Sequence, residues 1–570
     1  MSANSGVAAV LYEIGEILTV KGDTFRSRAY LMAAQRITSL TEDIRDIRAR
    51  GELDSIPGIG KSIAATIEEV LDTGESKALM ELRESLPPGV PELMALEGVG
   101  PKLAMRLNQE LGVTGIDSLE KAAKEHRIRA LKGFGEKKEQ NLLKAVEEYR
   151  GRSGRFLLGE VLPIIQGITA HMRGSPAVRR VEVAGSARRR KETVGDLDVL
   201  ASSAEPEKAS DHFVRMPNVA RVLAHGPTKS TVVLENRLQV DLRVIPPGSF
   251  GAALQYFTGS KEHNVKLRTI GVKAGFKLNE YGLFRRGDDS LVEAEDEERI
   301  YEALGMDWMP PELRENTGEI EAAMEHRLPE LVELDQIRGD LHAHTDWSEG
   351  TASIEEMAEK ARSMSLEYMA VCDHTKTLGI ARGLDEERLM EQLKEIRRLD
   401  DEMPGFRILA GTECDILRDG KLDIADDVLR ELDWVVASVH SGFKQDEEAM
   451  TRRIVEAIHN EHVSTVGHPT GRLIEKRSPY TVDLDRVLEA AAEQRVCMEI
   501  NCFPDRLDLS DVNSRRAKEK GVRVTLGTDA HTVSELEFLG MGVSVARRGW
   551  LGPGDVVNTL TADEVTRLRS

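Results

Sequence analysis

The sequence is poor in cysteine and contains no long apolar run. Its 570 residues include four cysteines, none in a Cys-x-x-Cys spacing, and all lie near apolar, strand-like segments. We therefore expect buried thiols in a reducing compartment rather than disulfides or a zinc cage. No run approaches the ~20 apolar residues that span a bilayer. A signal peptide begins with a basic segment before its apolar stretch, and this sequence has none there. A cytoplasmic protein with no membrane partner is expected.

Positive charge is also in deficit. The chain has 77 basic and 98 acidic residues, a formal net charge of −21. This balance excludes a protein that coats nucleic acid non-specifically through bulk charge. Local basic patches, backbone amides or bound metal ions could still bind nucleic acid. The length predicts several domains, because single cores rarely exceed roughly 250–300 residues.

Three segments early in the chain repeat one pattern. Residues 54–71, 95–111 and 130–146 each contain apolar-x-Gly-apolar-Gly followed by an amphipathic helical pattern. Glycine allows the tight turn, and the N-terminus of the next helix presents N–H groups to an anion. One copy would be explained as well by an ordinary helix–helix turn, but three copies favour phosphate binding. The pattern resembles the helix-hairpin-helix motif, which grips DNA backbones, and implies contacts from Gly58, Gly60, Lys61, Gly98, Gly100, Lys102, Gly133 and Gly135.

The segment GSARRRKETVGDLDVLA (185–201) holds two aspartates in a strand-like run. Asp196 and Asp198 are two residues apart, so both carboxylates face one side of a strand. Like charges on one face are costly without a cation, and Mg²⁺ prefers oxygen ligands. Asp241, in the strand-like run LQVDLRVIP, could complete a two-metal site for nucleotidyl transfer. An Asp-x-Asp pair alone is usually a surface feature, but the preceding Gly-Ser and the later aspartate favour the nucleotidyltransferase superfamily.

The residues around these aspartates are suited to a triphosphate. Gly185 lets the backbone approach it, and the Ser186 hydroxyl with the basic run 188–191 would neutralise its charge. Further along, the segment 256–284 begins with an aromatic pair beside a glycine, a sensible platform for a sugar. Standing alone, that pair would be read as two core aromatics.

Residues 1–316 resemble family X DNA polymerases, including polymerase beta, most closely in 185–201 and 256–284. The resemblance implies two Mg²⁺ or Mn²⁺ ions held by Asp196, Asp198 and Asp241. It also implies that Ser186 and Arg189, next to Gly185, bind the triphosphate. Tyr256 and Phe257, followed by the turn at Gly259, would line a sugar pocket that disfavours ribose. Asn264 would contact the incoming base, and Arg268 the template strand.

One position departs from that family. In polymerase beta-like enzymes the helix after the first hairpin carries a lysine that forms a Schiff base with an abasic sugar. Here Thr66 stands at that place, and no lysine lies between Lys61 and Lys77. A Schiff base needs a free amine. We therefore expect 5′-deoxyribose phosphate lyase activity to be absent or weak.

Eight of the 14 histidines follow residue 340, and six of these stand with carboxylates at the ends of short apolar runs. Seven such runs alternate with helical patterns, which predicts a distorted parallel barrel with its site at the strand ends. Imidazole with carboxylate suits Zn²⁺, Mn²⁺ or Fe²⁺, and more than four ligands implies two or three ions. The other two histidines, His459 and His462, are expected at the surface. The candidate ligands are His342, His344, His374, Glu413, His440, His468, Asp529 and His531.

Residues 337–570 resemble the polymerase and histidinol phosphatase (PHP) domain through DLHAHT, CDHT, GTE, SVH, GHP and GTDAH. The family usually has an aspartate after the first motif, whereas TDWSEG places Glu349 there, so a carboxylate ligand is retained on a longer arm. In bacterial and archaeal members that fuse the two domains, this site resembles a Mn²⁺-dependent 3′–5′ exonuclease that also cuts at abasic sites and removes 3′-phosphates. The resemblance implies an active site here.

These segments predict a multidomain protein. The expected fold is an all-α helix-hairpin-helix N-terminal region, an α+β nucleotidyltransferase palm and thumb, and a C-terminal distorted (β/α)7 barrel. The expected boundaries are 1–85 for an N-terminal helical domain with the first hairpin, 86–155 for a fingers-like helical domain with the other two, 156–245 for the palm, 246–316 for a thumb-like nucleotide-selection subdomain, 317–336 for a charged helical linker and 337–570 for the PHP domain.

The leading functional interpretation is a bifunctional DNA repair enzyme, expected as a monomer. The polymerase half would fill short gaps in gapped or primer–template DNA from deoxynucleoside triphosphates, and the barrel would trim or unblock 3′ ends. A barrel that acts as a small-molecule phosphatase is an alternative, which the DNA-gripping hairpins disfavour. A non-catalytic DNA-end scaffold with structural metals is another, but it would require loss of triad or ligand residues, and none is lost.

Overall fold

The computed structural model describes residues 3–568 apart from 22, 39–43, 57, 74–75, 88, 95, 97–98, 132–133 and 153–154. The chain divides into two compact units, Met1–Gly154 and Arg155–Ser570. A helix both long enough and apolar enough to cross a bilayer is not found in the described ranges. All four cysteines are buried free thiols, which confirms the predicted burial and the absence of disulfides between them.

The first unit is helical throughout the residues described, as predicted. Its apolar helix faces pack into one core, in which Leu11, Ile14 and Ile67 are fully buried. Its helices are α1 (Ala3–Val20), α2 (Thr24–Thr38), α3 (Ile44–Ala49), α4 (Lys61–Thr73), α5 (Lys77–Glu84), α6 (Val90–Met94), α7 (Pro101–Leu111), α8 (Ile116–Lys124) and α9 (Glu136–Arg152).

The second unit begins with a five-stranded sheet, which with its helices we call the palm-like region. Its strand order is β2-β4-β7-β6-β5, and β4 and β7 are parallel, whereas the other neighbours are antiparallel. The elements are β1 (Phe156–Leu157), α10 (Leu158–Arg173), β2 (Arg180–Val183), α11 (Gly185–Arg188), β3 (Thr193–Val194), β4 (Asp196–Ser202), α12 (Pro206–Val214), β5 (Val219–His225), β6 (Lys229–Leu234) and β7 (Gln239–Ile245).

The next segment, which we call the thumb-like region, packs helices against a small antiparallel sheet of order β10-β9-β8. Leu267, Leu283 and Ile300 are buried in its core. Its elements are α13 (Phe250–Thr258), α14 (Lys261–Lys273), β8 (Phe276–Asn279), β9 (Gly282–Arg285), β10 (Leu291–Glu293), α15 (Glu297–Ala303) and α16 (Glu319–Met324).

Helix α16 corrects the predicted linker. Residues 317–336 were expected to form a charged tether, but Ile320 and Ala323 are fully buried in the thumb-like core. The buried Glu319 carboxylate also lies 2.7 Å from Nδ1 of His263 on α14. The linker prediction is therefore wrong for residues 319–324, because the high charge of the stretch obscured an apolar stripe only two residues wide.

The remainder forms a nearly closed barrel of seven parallel strands in sequential order, as predicted. Its strand residues are almost all buried, as expected for a parallel sheet covered by helices. Short contacts close the ring between the last and first strands, where the Ala530 carbonyl accepts from the His344 N–H at 2.8 Å. The elements are β11 (Gly339–Ala343), α17 (Ile354–Ser363), β12 (Tyr368–Val371), α18 (Glu386–Glu402), β13 (Arg407–Asp415), α19 (Asp426–Leu429), β14 (Trp434–Ser438), α20 (Glu447–Ile458), β15 (Thr465–Val466), α21 (Leu484–Gln494), β16 (Cys497–Asn501), α22 (Asp511–Glu519), β17 (Val524–Gly527), α23 (Leu539–Arg548) and α24 (Ala562–Arg567).

A buried ion-pair cluster joins the palm-like and thumb-like regions. Both Arg188 Nη atoms donate to the Glu297 carboxylate at 2.8 Å. The fully buried Arg314 donates to the same carboxylate at 2.6 Å. Burial opposes ionisation of Glu297, but the two guanidinium groups outweigh it and hold the pKa of Glu297 well below its usual range. The charged form of this carboxylate is thus part of the folded state.

We expect Glu297→Gln to lower the free energy of unfolding by about 3–5 kcal/mol, because it leaves Arg314 buried without a counter-charge. Because the folded-state pKa is depressed, this stabilisation is present above the unfolded pKa of about 4.3 and is lost as pH falls. Urea unfolding of the intact chain measures the loss. Glu298→Gln, at an exposed position on the same helix, should change the unfolding free energy by less than about 0.5 kcal/mol. Equal effects of the two substitutions would contradict this account.

Candidate active sites

The first candidate site lies where the two parallel strands of the palm-like region run side by side. Asp198 on β4 is the register partner of Asp241 on β7. Burial raises the pKa of Asp198 to about 6, and the neighbouring charges of Asp196 and Asp241 contribute. Lys229 Nζ lies 3.0 Å from Asp241 Oδ2 and relieves part of this repulsion. Carboxylates that destabilise one another's charge are suited to a divalent cation, so this donor set fits Mg²⁺ or Mn²⁺.

The three aspartates are not, however, gathered into a tight cluster. Among the described residues, the sets of three ligand atoms within 4.8 Å of one another all belong to the barrel. The structure therefore brings Asp198 and Asp241 side by side, with Asp196 exposed at the start of the strand.

Gly185 packs directly against Asp198. Its φ is 61°, and a Cβ there would lie 2.6 Å from Asp198 Oδ2, so both the conformation and the space require glycine. Ser186 follows it, half-buried in α11. The turn thus sets a backbone path close to the Asp198 carboxylate. The approach of this backbone to a triphosphate stays a prediction.

The basic run 188–191 is engaged mainly with protein carboxylates. Arg188 is taken up by Glu297, as described above. Arg189 donates to the Thr258 carbonyl at 2.5 Å and to Glu315 Oε1 at 3.1 Å. The expectation that the whole run neutralises a triphosphate is wrong for Arg188, whose guanidinium holds two regions together. Arg189 stays beside Gly259, where a Cβ would approach Nη1 to 3.1 Å.

The predicted sugar and base contacts lie at the end of α13 and along α14. The rings of Tyr256 and Phe257 meet edge to face at 5.1 Å. The buried amide of Asn264 donates to the Tyr256 carbonyl at 2.7 Å and accepts from Gln255 at 2.8 Å, so the protein holds it in place. Arg268 is exposed one turn further on.

Arg243 links this aromatic pair to the aspartates and was missed by the sequence interpretation. Its guanidinium lies 4.9 Å from the Phe257 ring centroid and lowers the pKa of Asp198 by charge. The signal was available, because Arg243 is two residues after Asp241 on one strand and so shares its face.

The helices that follow the three glycine repeats begin in the same way in the first unit. The carbonyls of Gly60, Gly100 and Gly135 each accept from N–H groups three and four residues on, at 2.9 to 3.1 Å, and so begin α4, α7 and α9. Gly58 has φ of 93°, and Lys61 and Lys102 are exposed. Gly98 and Gly133 lie outside the described residues.

The second candidate site occupies the C-terminal ends of the barrel strands, with Glu413 of β13 at its centre. Its carboxylate lies 2.9 Å from His468 Nε2, 3.2 Å from His440 Nε2 and 2.8 Å from His374 Nδ1. Burial opposes ionisation of Glu413, but the imidazoles around it outweigh burial and hold its pKa well below the usual range. A charged carboxylate is thus fixed among four strand ends.

A second group of ligands also includes His374, and its other members follow the first and last strands of the barrel. His342 and His344 face the same side, as predicted, with Nε2 atoms 3.2 Å apart. His344 Nε2 is 3.1 Å from Asp529 Oδ1. Glu349 Oε1 bridges two imidazoles at the open end of the barrel, lying 3.2 Å from His374 Nε2 and 3.1 Å from His531 Nε2. The longer Glu349 arm therefore reaches the cluster. All nine predicted ligands are brought together.

The donor chemistry of this cluster fits transition-metal ions. His344 Nδ1, His374 Nδ1, His468 Nδ1 and Glu413 Oε2 are buried and make no hydrogen bond within the described part of the chain. His374 Nδ1 and Glu413 Oε2 are 2.8 Å apart but are not in hydrogen-bonding geometry. Buried polar atoms ordinarily have partners, and nitrogen with carboxylate oxygen is the donor set of Zn²⁺, Mn²⁺ or Fe²⁺. Three triads, His344–His374–His531, His342–His344–Asp529 and His374–Glu413–His440, each place ligand atoms within 4.8 Å.

Further carboxylates orient these imidazoles and were not predicted. Glu499 Oε1 lies 2.6 Å from His342 Nδ1, and Asp415 Oδ1 lies 3.3 Å from His440 Nδ1. Such partners fix ring orientation in metal sites. Glu499 stands in the middle of β16, in the run VCMEIN, whose lone acid in an otherwise apolar strand was a usable signal. The expectation that His462 lies at the surface is wrong, since it is 7% exposed where the chain turns after α20, whereas His459 is exposed.

Comparisons with known proteins agree with this arrangement of sites. Four family models match, namely a helix-hairpin-helix domain over residues 2–76, a SAM-like helix-hairpin-helix tandem over 90–148, the DNA polymerase beta thumb over 253–315 and the PHP domain over 340–502.

Relatives match the whole chain or single parts of it. A probable phosphatase of Thermoanaerobacter sp. (strain X514) is 30% identical over 231 residues, 39% of this chain and 89% of that protein. DNA polymerase lambda of Rattus norvegicus is 25% identical over 343 residues, 55% of this chain and 56% of that protein. The DNA polymerase/3′-5′ exonuclease PolX of Bacillus subtilis (strain 168) is 38% identical over 562 residues, 98% of each chain. With both sites in place and this match from end to end, the chain belongs to the PolX family.

Proposed function

We propose that this protein is a DNA polymerase that fills short gaps during repair and that its barrel removes nucleotides or blocking groups from 3′ ends. The observation that carries the proposal is the presence, in one compact unit, of two separate carboxylate-centred sites of different donor chemistry. Asp198 and Asp241 form an all-oxygen site, and Glu413 is surrounded by imidazoles. The relative from Bacillus subtilis bears both activities in its name.

In nucleotidyl transfer, the palm-like residues would position the reactants. Asp196, Asp198 and Asp241 would hold two Mg²⁺ or Mn²⁺ ions, which lower the pKa of the primer 3′-hydroxyl and neutralise the leaving pyrophosphate. Gly185 lets the backbone come close to the triphosphate, and Ser186 and Arg189 donate to its oxygens. Tyr256 and Phe257 would pack against the sugar.

In hydrolysis, the barrel would act on the 3′-terminal phosphodiester. Two or three ions of Mn²⁺, Zn²⁺ or Fe²⁺ held by the nine ligands would lower the pKa of a water and neutralise phosphate charge. Glu499 and Asp415 hold the His342 and His440 rings in ligating orientation. One water is consumed, the P–O3′ bond breaks, the O3′ leaving group takes up a proton, and a nucleoside 5′-monophosphate is released.

The same barrel supports cleavage at abasic sites and removal of a 3′-phosphate, since each reaction places a phosphoester among the same ligands. The 30% identity to a probable phosphatase over 231 residues favours the phosphatase activity. The helix-hairpin-helix turns, with exposed Lys61 and Lys102, support DNA rather than a small molecule as the substrate. Buried reduced thiols support a cytoplasmic location.

We expect Asp198→Ala to lower primer extension on gapped DNA by about 10³-fold while 3′ resection stays within about twofold, because a metal ion contributes several kcal/mol to charge stabilisation. His342→Ala should show the reverse pattern. Each assay uses the intact chain with Mn²⁺. Glu207→Ala and His459→Ala, at exposed positions of the two regions, serve as matched controls. If either substitution abolished both activities, or neither affected its own, two independent sites would be disproved.

A separate expectation concerns the lyase reaction. Thr66 is 6% exposed, and its hydroxyl donates to the Ser62 carbonyl at 3.1 Å, so the position offers no amine. Borohydride trapping on a 5′-deoxyribose phosphate substrate should give little or no crosslink. A robust crosslink that maps to the first unit would refute this expectation. If the crosslink were lost in Lys61→Ala, Lys61 would be the amine that forms it, and if it persisted, another amine would.

A further inference from the structure

Arg506 lies beside the barrel site and is neither a candidate metal ligand nor one of the groups that orient those ligands. It lies in the loop after β16, with Nε 3.4 Å from Oδ2 of the candidate ligand Asp529, and its side chain is 23% exposed. Its guanidinium makes no hydrogen bond to another residue in the described part of the chain. Its donors are therefore available to a molecule that enters the site.

The charge of Arg506 is informative in this place. Arg506 faces the carboxylates of the site, of which Asp529 lies 3.4 Å away. Divalent ions held by the same carboxylates would neutralise that negative charge, so the guanidinium would then need another anion beside it. A guanidinium presents planar, paired donors that match the oxygens of a phosphate. This reasoning rests on the proposed hydrolytic function, in which the anion is a phosphodiester.

The backbone around Arg506 is held by a second arginine. Arg472 Nε donates to the Arg506 carbonyl at 2.9 Å, and its Nη2 donates to the Leu507 carbonyl. Leu507 has φ of 41°, a region that costs a branched residue free energy and persists only where the surroundings hold it. Thr470 anchors the same loop by donating from N and Oγ1 to Asp508 at 2.9 Å each.

Arg472 is itself held by the palm-like region. Its Nη2 donates to Glu192 Oε2 at 2.8 Å, and the two side chains are 14% and 38% exposed. Glu192 directly follows the basic run 188–191 and precedes Asp196 by four residues. The same short segment therefore leads into one site and contacts a loop of the other.

We propose that Arg506 binds the 3′-terminal phosphodiester of DNA in the barrel site and that Glu192, acting through Arg472, is a positioning residue for it. Arg506 stays protonated and exchanges no proton in the hydrolysis written above. It donates hydrogen bonds to non-bridging oxygens and so orients the phosphorus for attack by water. Glu192 touches neither substrate nor ligands and acts only by fixing the loop.

The test compares Arg506→Ala, Glu192→Ala and the double variant in the intact chain with Mn²⁺. Two quantities are measured: KM and kcat for 3′ resection of a single-stranded oligonucleotide, and the affinity for dTMP by titration calorimetry. Arg506→Ala should raise KM and weaken dTMP binding about 10- to 100-fold, the range for a lost charge-assisted hydrogen bond. Glu192→Ala should raise KM about two- to fivefold with kcat within about 1.5-fold, as expected for a partly exposed pair. The double variant should match Arg506→Ala, because both act through one contact.

Several results would overturn the proposal. Unchanged KM and dTMP affinity in Arg506→Ala would remove the phosphate contact. If the effects of the two substitutions on KM multiplied in the double variant, or if Glu192→Ala had no effect, Glu192 would not position Arg506. Arg506→Lys should restore part of the affinity, and Glu192→Gln replaces Glu192→Ala if the latter fails to fold. Arg452→Ala, at an exposed position of α20, should behave like the unsubstituted chain. If the unsubstituted chain resects no DNA, the proposed function fails, whereas dTMP binding still tests Arg506.

Discussion

Parallel strand pairing is the constraint on which both candidate sites depend. Neighbouring parallel strands run in matched register, so polar side chains at corresponding positions near one edge of the sheet meet without any special loop. Asp198 and Asp241 are register partners across β4 and β7. In the barrel, His374 and Glu413 pair in the same way. Burial by helices on the outside lets these charged groups act in a medium of low dielectric, where their mutual effects on pKa are large.

The basic run after Gly185 shows how one sequence segment serves several purposes. Arg188 supports the junction with Glu297, Arg189 lies between Glu315 and the turn at Gly259, and Glu192 contacts the barrel through Arg472. Arg548 of α23 donates to the Arg189 carbonyl at 2.7 Å, which ties the same segment to the barrel again. Polymerase-type and hydrolytic sites are therefore parts of one packed unit, in which neither region is a passive tether.

The sequence was sufficient to predict the fold and the site where regularly spaced apolar runs ended in side chains that can bind metal ions. Seven apolar runs ending in histidine or carboxylate predicted the parallel barrel and its ligand set, because each strand has to be apolar inside and polar at its end. Partners chosen by tertiary packing could not be predicted. Glu297 is far in sequence from Arg188, and Glu499 orients His342 across 157 residues. The packing of α16 into the thumb-like core was missed because its buried residues, Ile320 and Ala323, lie within a charged stretch that was predicted to be a linker.

The account as a whole requires divalent ions in two places within the second unit. Anomalous diffraction from crystals of the intact chain soaked with Mn²⁺, recorded at the manganese edge, locates them directly. The account predicts two or three peaks among His342, His344, His374, Glu413 and Asp529, and, with a deoxynucleoside triphosphate present, further peaks beside Asp198 and Asp241. Peaks confined to other surfaces, or well-occupied crystals with neither cluster binding manganese, would contradict it.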